Sequence, residues 1–383
     1  MKKTICTLLV AAMLLSGCSK KENTASNTTG ERVENTSITT SIENTSDAPE
    51  TSATTEPDGT VTETTTETTT ESTTAATSDK AKTSAPFTFN PHVHTTLLSE
   101  LVTEDMWASL YNLIDAVRAG EDTFECTDRS TYDWCTDVSV FGTFYPPVSA
   151  KIEGAGFENG VGKIKYLMDK PKLKEREEAY EKEVTRMLNE ATCSDYSDFE
   201  KLVGIYGYLC KNFTYDYSSI DGADENEFGD YACLTTKKGI CCEIASVFSY
   251  LLLQVGVEAT TFGGDGSAGN HDWTYVLIDG KGYHCDVTWA LYGNYVNGFL
   301  ELSYFMQTEE ERLANGFDKE SLEVDQIWPH LRDYDISRFS ATDNTFAPIH
   351  QEIGMTFDSI DTEKNILRYS YGDQKYELNY GDM

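Results

Sequence analysis

Cys241, His271 and Asp286 have the residue types that nucleophilic thiol chemistry requires, and they follow one another in a suitable order. A thiolate is a strong nucleophile, and a histidine can take the thiol proton and later protonate a leaving group. A carboxylate that accepts the second ring N–H fixes the tautomer and the orientation of the imidazole. These residues therefore predict a catalytic triad.

The segments around these residues predict the elements that bring them together. From about Cys241 to Gln254 the apolar residues recur with helical spacing, and Gly256 is a suitable helix stop. Downstream the period changes to two, which indicates two strands joined by a hairpin turn at residues 279–282. A helix N-terminus favours a thiolate, and adjacent strands lie about 4.8 Å apart. A helix packed on this hairpin can thus assemble all three side chains.

Three motifs surround the predicted triad: Lys238–Ala245 (KGICCEIA), Asn270–Trp273 (NHDW) and Tyr283–Trp289 (YHCDVTW). The first resembles the Gly-x-Cys-x-x-(aromatic)-Ala motif of the bacterial transglutaminase-like superfamily of cysteine enzymes. The other two resemble the His-x-Trp and aromatic-x-x-Asp-x-Thr-Trp motifs of the same superfamily. The resemblance covers roughly residues 195–320, and all three motifs occur in the family's order.

The resemblance implies an α+β fold in the papain-like manner, preceded here by a mainly helical N-terminal domain. A helix that carries Cys241, the nucleophile, would pack on an antiparallel sheet that carries His271, the base, and Asp286, its orienting carboxylate. The resemblance also implies that Tyr231 and Trp273 are active-site aromatics, with Tyr231 near the oxyanion. It implies no cofactor, and no Cys-x-x-Cys or His-rich cluster in the sequence suggests a metal site.

Several residues compete with these roles or depart from the motifs. Cys242 is a rival nucleophile, but one further residue rotates it by about 100° around the helix. His284 is a rival base that we interpret as structural, and Tyr231 has packing as its alternative role. Ile244 replaces the usual aromatic residue of the first motif. Asp272 places a negative charge next to the base, which we expect to raise the pKa of that imidazole.

Three functions are compatible with the motifs. The first is a cysteine hydrolase that forms a thioester with a peptide or protein substrate and passes the acyl group to water. The second is a transamidase that passes the same acyl group to an amine and cross-links proteins or cell-wall peptides. The third is a non-catalytic module that keeps the fold and binds peptide or glycan. The intact triad favours the first two, and the sequence does not identify the acyl donor.

The first residues have the features of an export signal. Two lysines precede an apolar run from Ile5 to Leu15, and the small residues Ser16 and Gly17 precede Cys18. The run is shorter than the about 20 residues that a membrane-spanning helix needs. The four residues that end at Cys18 resemble a lipobox, which implies lipidation of Cys18. We therefore predict an extracytoplasmic, membrane-anchored bacterial lipoprotein, with an ordinary signal peptide as the alternative.

Composition divides the chain into five predicted segments. Residues 1–17 are the signal peptide, and residues 18–86 are a Thr/Ser-rich tether with almost no large apolar residue. Such a segment buries too little surface to offset its ordering entropy, so we expect it to be disordered. Residues 87–190 are predicted as a mainly helical domain and residues 191–343 as the catalytic domain. Residues 344–383 are predicted as a β-rich tail.

Charge and cysteine content limit the partners. The formal net charge is −34, from 30 basic and 64 acidic residues, so the chain repels phosphate backbones and nucleic acid is excluded as a partner. Cys126 with Cys135, or Cys193 with Cys210, could form disulfides, but the sequence does not determine the pairing. We expect a monomer whose partners are a membrane lipid and a peptide, protein or cell-wall peptide substrate.

Overall fold

The structure, a computed structural model, describes residues 84–217, 229–291, 300–324 and 334–381. The predicted signal peptide, Cys18 and the tether as far as residue 83 lie outside the described residues. Within the described part of the chain, no helix is long and apolar enough to cross a membrane.

Eight α-helices and twelve strands are described, together with five short 3-10 helices. The α-helices are α1 Glu104–Ala119, α2 Arg129–Cys135, α3 Val138–Phe144, α4 Lys170–Ala191, α5 Asp198–Asn212, α6 Asp230–Thr236, α7 Cys241–Gln254 and α8 Glu309–Ala314. The strands are β1 Thr123–Glu125, β2 Ile152–Glu158, β3 Val161–Tyr166, β4 Thr214–Tyr215, β5 Lys238–Gly239, β6 Glu258–Gly264, β7 His271–Ile278, β8 Lys281–Cys285, β9 Glu323–Val324, β10 Thr356–Asp361, β11 Ile366–Tyr371 and β12 Gln374–Asn379. The 3-10 helices are Thr96–Leu98, Pro146–Val148, Lys319–Ser321, Ile336–Phe339 and Ala347–His350.

The region before residue 191 combines helices with a small sheet. Helix α1 is capped at its start by Thr103, whose side chain accepts the N–H of Met106, and it stops before Gly120, which adopts the left-handed conformation. Strands β1, β3 and β2 form an antiparallel sheet next to it. Helix α4, Lys170–Ala191, follows. The helical segment before the core is thus present, with a three-stranded sheet added.

The core that carries the predicted triad consists of helices α5 and α7 and a four-stranded antiparallel sheet in the order β8-β7-β6-β9. Helix α5 starts with a capping box, in which Ser197 and Glu200 each accept a backbone N–H from the other residue. Strands β7 and β8 are joined by a tight turn at Asp279 and Gly280, both with positive φ, as a type I′ hairpin requires. Helix α7 packs on β6 and β7. The predicted α+β arrangement is therefore confirmed.

The C-terminal residues form a separate antiparallel sheet, β10-β11-β12, within the segment predicted as a β-rich tail. It is attached to the core through Tyr380, whose hydroxyl donates to buried Glu200 at 2.9 Å and whose ring lies 4.7 Å from Phe199. All described residues belong to one compact unit with a continuous apolar core. The segment boundaries at residues 190 and 343 stay predictions.

Candidate active site

Cys241 is the first residue of α7, and the backbone before it is fixed on two sides. Strand β5, which ends at Gly239, pairs in parallel with β4, so that Thr214 N–H donates to Lys237 and Asp216 N–H donates to Gly239. Buried Glu243 accepts the N–H of Ile240 at 3.0 Å. The thiol is thus held at a helix N-terminus, where the helix dipole and unpaired N–H groups favour a thiolate. Its side chain is partly exposed, so a substrate can reach it.

Gly239 is required by close packing rather than by its backbone angles. A Cβ at this position would lie 2.6 Å from the sulfur of Cys233 and 3.0 Å from Glu243 Oε2. Gly239→Ala is therefore expected to lower the free energy of unfolding by about 1–3 kcal/mol, because buried neighbours must move. The measurement is urea denaturation. Gly142→Ala is the matched control, since its Cβ would meet only one ordinary contact at 3.7 Å. Equal stability of both variants would contradict this packing account.

His271 and Asp286 form a buried pair at the ends of the central hairpin. His271 is the first residue of β7, and Asp286 directly follows β8, which places the two side chains together. His271 Nε2 donates to Asp286 Oδ2 at 2.8 Å, and Asp286 Oδ1 accepts the N–H of Trp289 at 2.9 Å. This leaves Nδ1 of His271 for the hydrogen bond that His271 makes with the thiol of Cys241. The structure thus brings the three predicted triad residues together.

Four groups surround the sulfur of Cys241. The thiol of Cys242 donates a hydrogen bond to it, His271 adds a hydrogen bond and a positive charge, and the N–H of Asp272 donates a third hydrogen bond. Against the opposing effect of burial, these groups lower the pKa of Cys241 to about 4. The hydroxyl of Tyr215, on β4, also hydrogen-bonds Cys241. The sulfur therefore sits in a setting that stabilises its ionised form.

The imidazole of His271 responds in the opposite direction. Burial lowers its pKa, but the charge and hydrogen bond of Asp286, together with its contacts to Cys241, raise it to about 10. A thiolate–imidazolium pair is consequently the stable form of the site across the neutral range. Asp272 acts on this pair through its backbone N–H to Cys241.

The assigned rivals of the triad have other roles in the structure. Trp273 Nε1 donates to His284 Nδ1 at 2.9 Å, and burial followed by the charge of Arg312 lowers the pKa of His284 to about 3. His284 therefore stays neutral and structural. The hydrogen bond of Cys242 to Cys241 and the desolvation of its thiol raise the pKa of Cys242 well above the ordinary range. Cys242 is thus a donor to the nucleophile and a poor nucleophile itself.

The two predicted active-site aromatics lie in different places. Trp273 is buried on β7, with its ring 6.2 Å from that of His271, so it supports the base from within the core. Tyr231 stacks on Tyr180 of α4 at 5.6 Å, and the Arg176 guanidinium lies 3.1 Å from its ring centre. These contacts face the N-terminal region, so no described contact supports an oxyanion role for Tyr231. The tyrosine that contacts the nucleophile is Tyr215.

Arg312 is a site residue that the sequence did not suggest. It lies on α8, is fully buried, and donates from Nη2 to Asp286 Oδ2 at 3.1 Å. Its guanidinium lies against three rings that we call the aromatic cage: Trp273 at 4.1 Å, and Trp289 and Phe317 at 4.7 Å each. A single arginine at the end of an acidic run, EEER, carries no signal in the sequence that distinguishes it from a surface residue.

All eight cysteines among the described residues are free thiols, and those of Cys126 and Cys135 hydrogen-bond one another. In the same part of the chain, no group of three or more His, Cys, Asp or Glu side chains is placed to hold a metal ion.

Residues 185–287 match the family model of the transglutaminase-like superfamily. Among solved structures, the chain is similar to a TGase with 18% identity and a TM-score of 0.26, over 36% of this chain and 45% of that one. It is also similar to a candidate cysteine protease from Cytophaga hutchinsonii, with 16% identity and a TM-score of 0.24, over 35% and 39% of the two chains.

A third similar structure is an arylamine N-acetyltransferase from Bacillus cereus with a Cys-His-Glu catalytic triad. Identity is 14% and the TM-score is 0.27, over 53% of this chain and 93% of that one. No curated protein matches the chain significantly. The chain spans less than half of the first two structures, and the assignment rests on the family model. Residues 185–287 thus form a transglutaminase-like domain.

Proposed function

We propose that the protein is a cysteine hydrolase that cleaves a peptide or protein substrate through a thioester on Cys241. The observation that carries the proposal is the continuous hydrogen-bonded chain from Cys241 through His271 to buried Asp286. These hydrogen bonds place a thiolate nucleophile next to an imidazolium acid, and acyl transfer from an amide requires both groups.

The first half of the reaction follows from the ion pair. The Cys241 thiolate attacks the substrate carbonyl carbon, and the carbonyl oxygen takes up the negative charge as a tetrahedral intermediate forms. Unpaired N–H groups at the start of α7 can stabilise that charge. The intermediate then collapses: the carbon–nitrogen bond breaks, and the imidazolium of His271 gives its proton to the leaving amine. The products are a thioester on Cys241, a free amine and a neutral imidazole.

The second half reverses these roles with a new nucleophile. Neutral His271 takes a proton from water, which attacks the thioester carbon, and the carbon–sulfur bond breaks to release the acid. The regenerated thiolate again faces an imidazolium. An amine in place of water gives transamidation with the same residues, so the two functions differ only in the acceptor.

A small activated ester separates these outcomes without knowledge of the natural substrate. Mixing p-nitrophenyl acetate with the purified protein is expected to give a burst of p-nitrophenol and an acetyl group on Cys241, seen by mass spectrometry. Adding a primary amine then tests the acceptor: hydrolysis predicts acetate as the main product, and transamidation predicts the acetylated amine. Cys241→Ala is expected to abolish the burst, whereas Cys242→Ala, which removes a hydrogen-bond donor but not the nucleophile, is expected to retain a burst at a lower rate. A protein without any burst would instead support the binding module.

We also propose that the enzyme acts outside the cell as a membrane-anchored lipoprotein. Its substrates would then be peptides, proteins or cell-wall peptides, with the tether of residues 18–86 holding a monomeric domain away from the membrane. A coil of this length has a root-mean-square reach of roughly 45 Å. The proposal rests on the export signal and on the lipobox that ends at Cys18.

Cys18→Ala tests the anchor. Because the lipid is attached to this sulfur, the variant is expected to leave the membrane fraction or to accumulate as an uncleaved precursor. The measurement is fractionation of cells followed by immunoblotting. Cys6→Ala, within the same segment but outside the lipobox, is the control and is expected to fractionate like the parent protein. Unchanged membrane association of the Cys18 variant would contradict lipid anchoring.

A further inference from the structure

We propose that Arg312 is a positioning residue for the reaction. It keeps Asp286 ionised and fixes the direction of the carboxylate, and both Arg312 and His271 interact with the negative charge of Asp286. This role rests on the proposed function of the triad, whereas the contacts of Arg312 are observed independently of that function. Arg312 lies 26 residues after Asp286 and on a different element, α8.

The hydrogen bonds give Arg312 a fixed orientation. Its Nη2 donates to Asp286 Oδ2 at 3.1 Å, the same oxygen that accepts Nε2 of His271 at 2.8 Å. Its Nη1 donates to Gln307 Oε1 at 3.2 Å, and Gln307 is itself held by a bond from its Nε2 to the carbonyl of Ser303 at 2.9 Å. The guanidinium therefore bridges a fixed amide and the carboxylate.

The aromatic cage holds Arg312 and His271 on shared surfaces. Trp289 stacks on the His271 ring at 5.1 Å with an angle of 15° between the planes, and Phe317 stacks on it at 6.2 Å. The same two rings lie 4.7 Å from the Arg312 guanidinium. Cation–π attraction to these rings stabilises the guanidinium, and the rings do not compete with the carboxylate for its N–H groups. Both cations that share Asp286 are thus placed by one group of rings.

Charge during turnover explains why a second cation is useful. His271 loses its proton when the leaving amine departs. Without Arg312, Asp286, with only 1% of its surface exposed, would then be a buried carboxylate with no cation beside it. An arginine stays protonated under all these conditions and remains as a partner. Because it takes part of the carboxylate's charge, it also weakens the hold of Asp286 on the imidazolium proton, so that His271 is a stronger acid.

Several other titratable groups face Asp286 and His271. Burial raises the pKa of Asp286, and the charges of His271 and Arg312 overcome it, so the pKa is lowered. Asp286 interacts with the titratable groups of Tyr206 and Cys210 on α5, of Cys285 on β8, and of Tyr304. His271 interacts with Cys241 and Asp286. Arg312 is the cation among them that keeps its charge when His271 is neutral.

The test is a histidine titration that does not depend on catalysis. The Cys241→Ala protein, labelled with 13C-histidine, is titrated by NMR, alone and with Arg312→Gln or Arg312→Lys added. Gln keeps an amide donor for Asp286 but removes the charge, so the midpoint of His271 is expected to rise by about one pH unit. Lys keeps the charge, and its midpoint is expected to stay close to that of the parent. The His271 signal is assigned by its loss in a His271→Ala sample.

The outcomes separate this proposal from the proposed function. An unchanged midpoint in folded Arg312→Gln would overturn the role of Arg312, whatever the protein catalyses. Failure of the ester burst would instead overturn the proposed function and leave the titration result valid. With Cys241 present, Arg312→Lys cannot span both Gln307 and Asp286, so its burst rate is expected to fall about tenfold or more. A wild-type burst rate in that variant would contradict the positioning role, and this arm also serves if Arg312→Gln does not fold.

Discussion

Replacing Asp286 by Ala is expected to lower the free energy of unfolding by about 3–5 kcal/mol, far more than the loss of an ordinary hydrogen bond. The reason is that Asp286 accepts hydrogen bonds from His271, Arg312 and the Trp289 N–H inside the core. Without the carboxylate, the guanidinium of Arg312 stays charged with 0% of its surface exposed and with its ion-pair partner removed.

Urea denaturation of three variants measures this effect. Asp286→Ala is compared with Arg312→Met and with the double variant. Because the double variant buries neither charge, it is expected to be more stable than Asp286→Ala alone, despite carrying one more substitution. An Asp286→Ala protein within about 1 kcal/mol of the parent would contradict a buried ion pair at this position.

His271→Ala is expected to lower the rate of acylation by about 10²- to 10⁴-fold, because the leaving amine loses its acid and Cys241 loses its positive partner. The pH profile should change as well. Without the imidazolium, the pKa of Cys241 is expected to rise toward the ordinary value of about 8.5. The rate of the ester burst, measured from pH 5 to 9, tests the effect on the thiolate, and release of the amine from an activated anilide tests the loss of the acid.

A matched control isolates the imidazole. His92→Ala removes a histidine that lies at the surface and bonds Asp115 at 2.9 Å, away from the site. Its burst rate and pH profile are expected to equal those of the parent. Equal activity of His271→Ala and the parent would contradict the role of His271 as the acid and base.

The sequence was sufficient to predict the elements that carry the triad. Helical spacing from Cys241 onward and a period of two around the turn at Asp279 are local signals, and the structure follows them. The order of the three motifs then determines which ends meet, because a helix packed on a hairpin leaves few alternatives. These features could be predicted since each depends on residues close together in the chain.

The partners that come from distant segments could not be predicted in the same way. Arg312 reaches Asp286 only through the placement of α8, and nothing near position 312 distinguishes a buried arginine from a solvated one. Tyr215 contacts Cys241 because β4 pairs with β5, a pairing of only two residues on each strand. Tyr231 fits a family position in sequence, yet the helix α4 that packs against it decides where its ring lies.

The small N-terminal sheet lies in the segment predicted as mainly helical, and one of its strands, β2, carries few inward apolar residues. In β2, of which Ile152 is the buried residue, the remaining positions are exposed or half-buried. Such a strand lacks the alternation that identifies a half-buried sheet. Its pairing with β3 follows from the two-residue turn Asn159-Gly160, where both residues have positive φ, which is a local hairpin signal.

The pH dependence of Cys241 alkylation tests the central claim most directly. With the pKa of Cys241 lowered to about 4 and that of His271 raised to about 10, the thiolate is present throughout the range between these values. Site-resolved labelling with iodoacetamide, read by mass spectrometry, is therefore expected to proceed at a nearly constant rate from pH 5 to pH 9, as a flat profile.

An ordinary thiol, by contrast, slows about tenfold for each pH unit below its pKa of about 8.5. A thiolate of low pKa is intrinsically less nucleophilic, so the flatness of the profile, rather than the absolute rate at pH 8, is the decisive quantity. A flat profile at Cys241 that becomes steep in His271→Ala is the predicted result. A profile at Cys241 that falls tenfold per unit from pH 8 to pH 5 in the parent protein would contradict the account.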